Sequence, residues 1–181
     1  MNETLEGWTT LAALQKEGKV RWIGLCNASV EEMQKLQGIA RTTSLQPPYS
    51  LIRRDVETAQ LPWCRHEHVG VIVYPPMASG LLTGAISRER IAALPKTDWR
   101  TRSEEFKEPK LSENLKLVER PRTVGARHGR SPGETAIAWT LRHPAVTGAI
   151  VGARNSKQVD GIIGAMDFRL TPSEIAEVEG Q

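Results

Sequence analysis

No run of apolar residues in this sequence approaches the ~20 that a membrane-spanning helix needs. The first residues, MNETLEGWTT, lack the basic-then-apolar pattern of a secretory leader. Cysteine is scarce. There are two, Cys26 and Cys64, with no CxxC and no Cys/His spacing of a zinc site. His66 and His68 stand two apart without a third ligand, which reads as a helix end facing water and not as a metal site. Charge of one sign is not in excess: 24 Lys and Arg are interleaved with 21 Asp and Glu, for a net charge of +3. A nucleic-acid groove needs clustered cations, and none occur. GxGxxG and P-loop patterns are also missing. The expectation is a cytoplasmic chain with free thiols, no bound metal, and neither membrane nor nucleic acid as partner.

What is present is a regular alternation. Hydrophobic residues make up 39% of the 181, enough for one core. Leu5, Trp8, Leu11 and Leu14 recur in steps of three, which predicts a helix closed by Gly18. Residues 20–25 predict a strand, ended by Cys26-Asn27. Ser29-Val-Glu-Glu32 is a capping box for a helix to about residue 39. Ser44-Leu45-Gln46 predicts a second strand, stopped by Pro47-Pro48. Asp55 is placed to cap a helix reaching about residue 66. Residues 69–74 predict a third strand, apolar on both faces and so covered by helices.

A long segment from 77 to 110 follows, with a short helix near 87–94. Loops of that length are usually functional or mobile. Residues 112–128 predict a helix that Pro121 kinks or splits. Ser131-Pro-Gly-Glu134 starts another, to about residue 142. Residues 146–151 form the fourth strand. Asn155 or Ser156 starts a helix to about 165, and Thr171-Pro-Ser-Glu174 caps the last one. A helix followed by four strand–helix units predicts an α/β fold with a parallel sheet. That sheet is either a small open one or part of an eight-stranded barrel, of which a complete copy takes about 250 residues.

In both folds ligands bind beyond the carboxyl ends of the strands. Those ends carry Cys26-Asn27, Gln46, Tyr74 and Gly152-Ala-Arg154. Gly152–Lys157 leads into a helix N-terminus with Arg154 and Lys157 beside it, either an anion site or an ordinary turn. Tyr74 is either a boundary tyrosine or a flat face for a cofactor ring. Residues 77–84 are small and let a backbone approach a pyrophosphate. Cys26 has no histidine near it in sequence to activate a nucleophile. Trp8, Trp22, Trp63 and Trp139 are expected in the core, and Trp99, in the long loop, against a ligand.

Taken together these stretches resemble a known family. GKVRWIGLCN is similar to the Gly-Lys-Val-Arg-x-Ile-Gly-Val-Ser-Asn stretch of aldo-keto reductases. SLQPPYSLIRRD, VIVYPPMASGLLTG and GAIVGARNSKQVDGIIGA resemble three later stretches, in the same order and spacing. The match runs from about Leu5 to Val178. It implies a TIM-type (β/α)8 barrel that binds NADPH in extended form and reduces carbonyl compounds to alcohols by hydride transfer. By the resemblance, Cys26 and Asn27 hold the nicotinamide carboxamide with help from Gln46, and Tyr74 stacks on the ring. Pro75, Met77, Ser79, Gly80 and Leu81 lie along the pyrophosphate. Gly152, Arg154 and Gln158 lie at the adenosine 2′-phosphate.

The departures are specific. Cys26 replaces the usual serine, Pro75 a frequent serine, and Ile162 an asparagine that contacts adenine. The family's catalytic Asp, Tyr, Lys and His come from the first four strands, whereas this match begins on the helix before the fifth. The resemblance therefore implies that residues 1–181 are a partial reductase domain, the C-terminal half with about four β/α units and no catalytic residue. It implies a carbonyl substrate once the barrel is completed. Completion would come from upstream sequence, from self-association or from a separate N-terminal half chain. The alternative is a non-catalytic cofactor-binding or interaction subunit.

Overall fold

The four predicted strands lie side by side in chain order. They are β1 (Gly24–Cys26), β2 (Ser44–Gln46), β3 (Gly70–Val73) and β4 (Val146–Ala149), all parallel, in a computed structural model that describes residues 2–181. The register pairs Leu25 with Leu45 and Leu45 with Val71. A shift between Val71 and Ile72 then brings Val73 opposite Ala149. Three of the four strands are stopped by local chemistry. Asn27 turns left-handed after β1, at φ 57°. Pro47 and Pro48 cannot donate after β2, nor Pro75 and Pro76 after β3.

One face of the sheet is covered. Leu45, Val71 and Val73 are fully buried against the helices, together with Met33, Leu61 and Trp139. The alternate positions Gly70 and Ile72 are half-buried, and Gln46 is exposed. The both-faces expectation for the third strand is thus corrected: helices cover one side only. Parallel neighbours joined in sequential order by crossovers of one hand place every helix on the same face. Parallel strands in sequential order are the arrangement found in a barrel wall.

The helices follow their caps. Ser29 accepts from the Glu32 amide and starts α2 (Val30–Gln37). Between β3 and β4 come α4 (Arg88–Ala92), α5 (Lys110–Leu117), α6 (Glu119–Ala126) and α7 (Pro132–Leu141), the last opened by the Ser131/Glu134 box. The chain ends in α8 (Ser156–Asp160) and α9 (Pro172–Glu179), the latter opened by Thr171 and Glu174. The expected 112–128 helix is split at Val118. Pro121 sits in the first turn of α6, where its missing N–H leaves no bond unmade.

Three expectations fail for geometric reasons. In α1 (Asn2–Lys16) only Trp8 and Ala12 are buried among the described side chains, while Leu5 is 45% exposed. A three-residue step drifts around a 3.6-residue turn, so the buried line is the i, i+4 pair. Trp22 is 74% exposed and precedes β1, so it is not a core residue. Asp55 caps nothing. It opens a single 3₁₀ turn at Asp55–Glu57, and α3 (Gln60–His66) starts separately.

A partly buried charge network ties three of these elements together. Trp139 of α7 lies beneath two guanidinium groups, Arg142 at 3.9 Å and Arg54 at 5.1 Å from the ring centre. Glu57 and Glu179 balance them. Burial works against both carboxylates. Hydrogen bonds from Tyr49, Arg54 and Arg142 to Glu57, and from Arg142 to Glu179, outweigh it and hold both pKa values below 4.5. His143 is held below 6.5 by burial and by Arg142.

Two predictions follow from this packing. A depressed native pKa contributes stability in full above the unfolded value and loses it as pH falls through the native one. The urea midpoint should therefore decline below the ordinary 6.5 of His143 and again below the 4.5 of the two glutamates. A midpoint unchanged from about pH 7 down to about pH 4 would contradict the network. At Gly125, a Cβ would lie 2.4 Å from Thr135 Oγ1 and 2.7 Å from the Arg130 carbonyl oxygen. Gly125→Ala should lower the melting temperature by overpacking α6 on α7, although alanine is favoured in helices by about 1 kcal/mol. A raised melting temperature would show that the helices give way.

Candidate functional site

The carboxyl ends of β1, β2 and β3 converge. Cys26, exposed, stands opposite Gln46 in the register. Asn27 follows it and donates its N–H to the Gln46 carbonyl at 3.2 Å. Its left-handed backbone is one that asparagine tolerates. Tyr74 directly follows β3, and its phenol donates to Asn27 Oδ1 at 2.6 Å. Since β2 lies between β1 and β3, that bond carries the Tyr74 side chain across the end of β2. It also uses the acceptor end of the Asn27 amide and leaves the Nδ2 hydrogens to donate.

The loop beyond Tyr74 is held in a costly conformation. Ala78 (φ 47°), Ser79 (φ 55°) and Gly80 (φ 103°) are left-handed in succession. Only the glycine adopts that region freely, and each of the other two costs about 1–2 kcal/mol. Leu81 and Leu82, both buried, anchor the turn from below. Leu81 packs with Ile86, Phe106 and Leu111. Met77 is half-buried and Pro75 exposed.

A pocket of about 460 Å³ opens beside this loop. Tyr74, Pro75, Ser79 and Leu81 form one wall, and Trp99 and Phe106 stand on another. The two aromatics meet edge to face at 5.9 Å, and Trp99 remains 53% exposed. Trp99 thus lines a cavity, as its place in the long loop suggested, while Phe106 and Arg53 are linings that carry no sequence signal. The loop is braced by Asp98, which accepts from Arg100 Nε at 3.0 Å and Nη2 at 2.7 Å. The Arg100 bonds, with a further contribution from Arg154, hold the Asp98 carboxyl down at about 2. The long loop therefore lies within electrostatic reach of the fourth strand end.

At that end Gly152 and Arg154 are exposed and Gln158 is half-buried. The N-terminus of α8 is partly occupied by its own side chains. Asn155 Oδ1 accepts from the Gln158 N–H at 3.0 Å, and Gln158 Oε1 accepts from the Arg154 N–H at 2.8 Å. An anion here would meet the cations Arg154 and Lys157 more than free backbone donors. The structure thus clusters Cys26, Asn27, Gln46 and Tyr74, with the 75–81 loop adjoining. Gly152, Arg154 and Gln158 form a separate group, and none of these three lines the pocket.

Among the described residues no group of three His, Cys, Asp or Glu could hold a metal ion. No helix among them is long and apolar enough to cross a membrane.

The family model described as the aldo/keto reductase family matches residues 2–180. The chain belongs to that family. It is similar to the aldo-keto reductase YhdN of Bacillus subtilis, 30% identical over 163 residues, which are 90% of this chain and 48% of that protein. A Glycine max protein named "Probable aldo-keto reductase 1" is 29% identical, over 93% of this chain and 48% of its own length. Among solved structures, a glycerol dehydrogenase from Gluconobacter oxydans superposes with a TM-score of 0.88 at 28% identity. That match covers 97% of this chain and 53% of the other. The chain spans about half the length of the curated relatives it matches.

The two cysteines, one at the end of β1 and the other on α3, differ sharply. Cys26 is exposed, whereas Cys64 is buried and burial pushes its thiol up to about 11. An aromatic disulfide reagent should titrate one thiol quickly in the native protein and the second only on unfolding. Cys26→Ser should remove the fast phase. Two fast thiols in the native protein would mean that α3 does not protect Cys64.

Proposed function

We propose that this chain supplies the cofactor-holding part of an NADPH-dependent aldo-keto reductase. The observation that carries the reading is the convergence of Cys26, Asn27, Gln46 and Tyr74 at adjacent strand ends, with Tyr74 bonded to Asn27. The groups suit the cofactor chemically. A half-buried aromatic face suits a nicotinamide ring. The Asn27 Nδ2 hydrogens and the exposed Gln46 amide suit a carboxamide. The open turn at 78–80 lets backbone approach a pyrophosphate, and Arg154 with Lys157 suits a phosphate. Pro75, Met77, Ser79, Gly80 and Leu81 would lie along the pyrophosphate, and Gly152, Arg154 and Gln158 at the 2′-phosphate end. Bound there, NADPH would supply the hydride for carbonyl reduction.

The protein's own part is to bind, orient and exclude water. Cys26, where the family has serine, gives a weaker hydrogen bond to the carboxamide. Neither tyrosine is set up as a proton donor. Tyr49 is buried and its pKa is raised, by burial and by its bond to Glu57. Tyr74 is engaged with Asn27. The acid and its lysine would come from strands outside this sequence, and the carbonyl substrate from the pocket they complete. Two unpaired thiols suit a reducing, cytoplasmic setting.

A second reading has its own observation. The outer edges of β1 and β4 are unpaired among the described residues, and Trp22, Ile150 and Val151 lie exposed near them. Open edges invite pairing, so the chain would complete a barrel with another chain, a second copy included. Light scattering tests this: a monodisperse monomer counts against it.

Titration with NADPH tests the first reading. Tyr74→Ala should weaken binding by roughly tenfold, the loss of about 1.4 kcal/mol. Arg154→Gln should weaken NADPH by a similar factor and leave NADH unchanged, since a charge-assisted contact is worth about 1.5–3 kcal/mol. The chain alone should not reduce carbonyls with NADPH. Wild-type protein that binds neither nucleotide would overturn the assignment.

A further inference from the structure

We propose that Glu179, near the end of α9, acts through Arg142 and Tyr49 to set the position of the Tyr74 ring. The proposal deepens the reading of Tyr74 as the face on which the nicotinamide rests. Glu179 is then a positioning residue, far from the cofactor in sequence and touching none of it.

The connection can be followed bond by bond. Both backbone groups of Tyr74 are tied to one short segment. Its N–H donates to the Pro47 carbonyl at 3.1 Å, and its carbonyl accepts from the Tyr49 N–H at 2.7 Å. That segment is stiff, because Pro47 and Pro48 fix their own φ angles. Its far end is clamped by the Tyr49 side chain, which is fully buried. The Tyr49 hydroxyl donates to Glu57 Oε1 at 2.5 Å and accepts from Arg142 Nη1 at 2.8 Å. Arg142 in turn donates from Nη2 to Glu179 Oε1 at 2.5 Å.

Glu179 is the point on which the clamp rests. The same Oε1 accepts from the Trp139 indole at 3.0 Å, and Oε2 pairs with Arg54 at 3.4 Å. Its side chain is only 7% exposed. Two guanidinium groups and two carboxylates cancel here. Removing one negative charge leaves the part-exposed Arg54 and the largely buried Arg142 to share Glu57 alone, and Arg142, which also donates from Nη2 to Glu57 Oε1 at 3.1 Å, shifts toward that carboxylate. That shift changes how Arg142 and Glu57 together hold the Tyr49 hydroxyl, and the stiff segment passes the change to Tyr74. The other end of the Tyr74 side chain is fixed to Asn27, so the ring tilts about that bond and does not slide.

The sequence makes the test direct, because it contains just two tyrosines. The chain labelled with fluorotyrosine gives one fluorine resonance from each, and Tyr74→Phe assigns them. Glu179→Gln should move both resonances and weaken NADPH by roughly threefold or more. Glu179→Asp keeps the charge and should restore most of both effects. Glu177→Gln, on the same helix but paired with Arg127 at the surface, should move neither. A Glu179→Gln spectrum in which the Tyr49 resonance moves and that of Tyr74 stays would overturn the proposal. If Glu179→Gln fails to fold, Tyr49→Phe decides: it keeps the ring and drops the hydroxyl, and its single remaining resonance should be displaced. A wild-type Tyr74 resonance that ignores NADPH would sink the cofactor reading, while the variant spectra still judge the coupling.

Discussion

Strands of three or four residues bury little by themselves, so this sheet depends on being covered along one face. Leu45, Val71 and Val73 meet the helices, and their neighbours face the other way. The strand period of two leaves no other choice. Once that face is fixed, Cys26 and Gln46 fall opposite each other at the far end. Tyr74 leaves β3 where its phenol can cross to Asn27. The candidate site is therefore a consequence of how the sheet is covered and needs no separate device to assemble it.

The same constraint explains where strain is stored. Three successive left-handed residues at 78–80 persist because buried leucines follow them directly. A strained turn survives only when its surroundings over-determine it. Here the small cluster of Leu81, Ile86, Phe106 and Leu111 does so, and it also seats the aromatic wall of the neighbouring pocket. The long loop is structured by its own pairs, such as Asp98 with Arg100. It is a wall of the pocket and not a disordered linker.

The network around Trp139 has a different character. Buried ion pairs contribute little net stability compared with apolar residues of the same size, but breaking one side of them is costly, about 3–5 kcal/mol. Such a network is better suited to fixing geometry than to adding stability. It joins α7, α9 and the segment after β2, and that segment carries the backbone of Tyr74.

Much of this was legible in the sequence. Capping boxes at Ser29, Ser131 and Thr171 act within three residues, so their helices could be read directly. Prolines mark the ends of β2 and β3 for the same local reason. The family motifs named Tyr74 and Asn27 separately. The sequence by itself determined the order of elements, the parallel sheet and the family. Only the tertiary structure decided which face of the sheet is open, that Trp22 lies outside, that the Tyr74 side chain crosses β2 to reach Asn27, and that Tyr49 is clamped from the last helix. The physical reason is range. A cap satisfies a donor a few residues away, whereas these contacts exist only after distant segments have docked in one register.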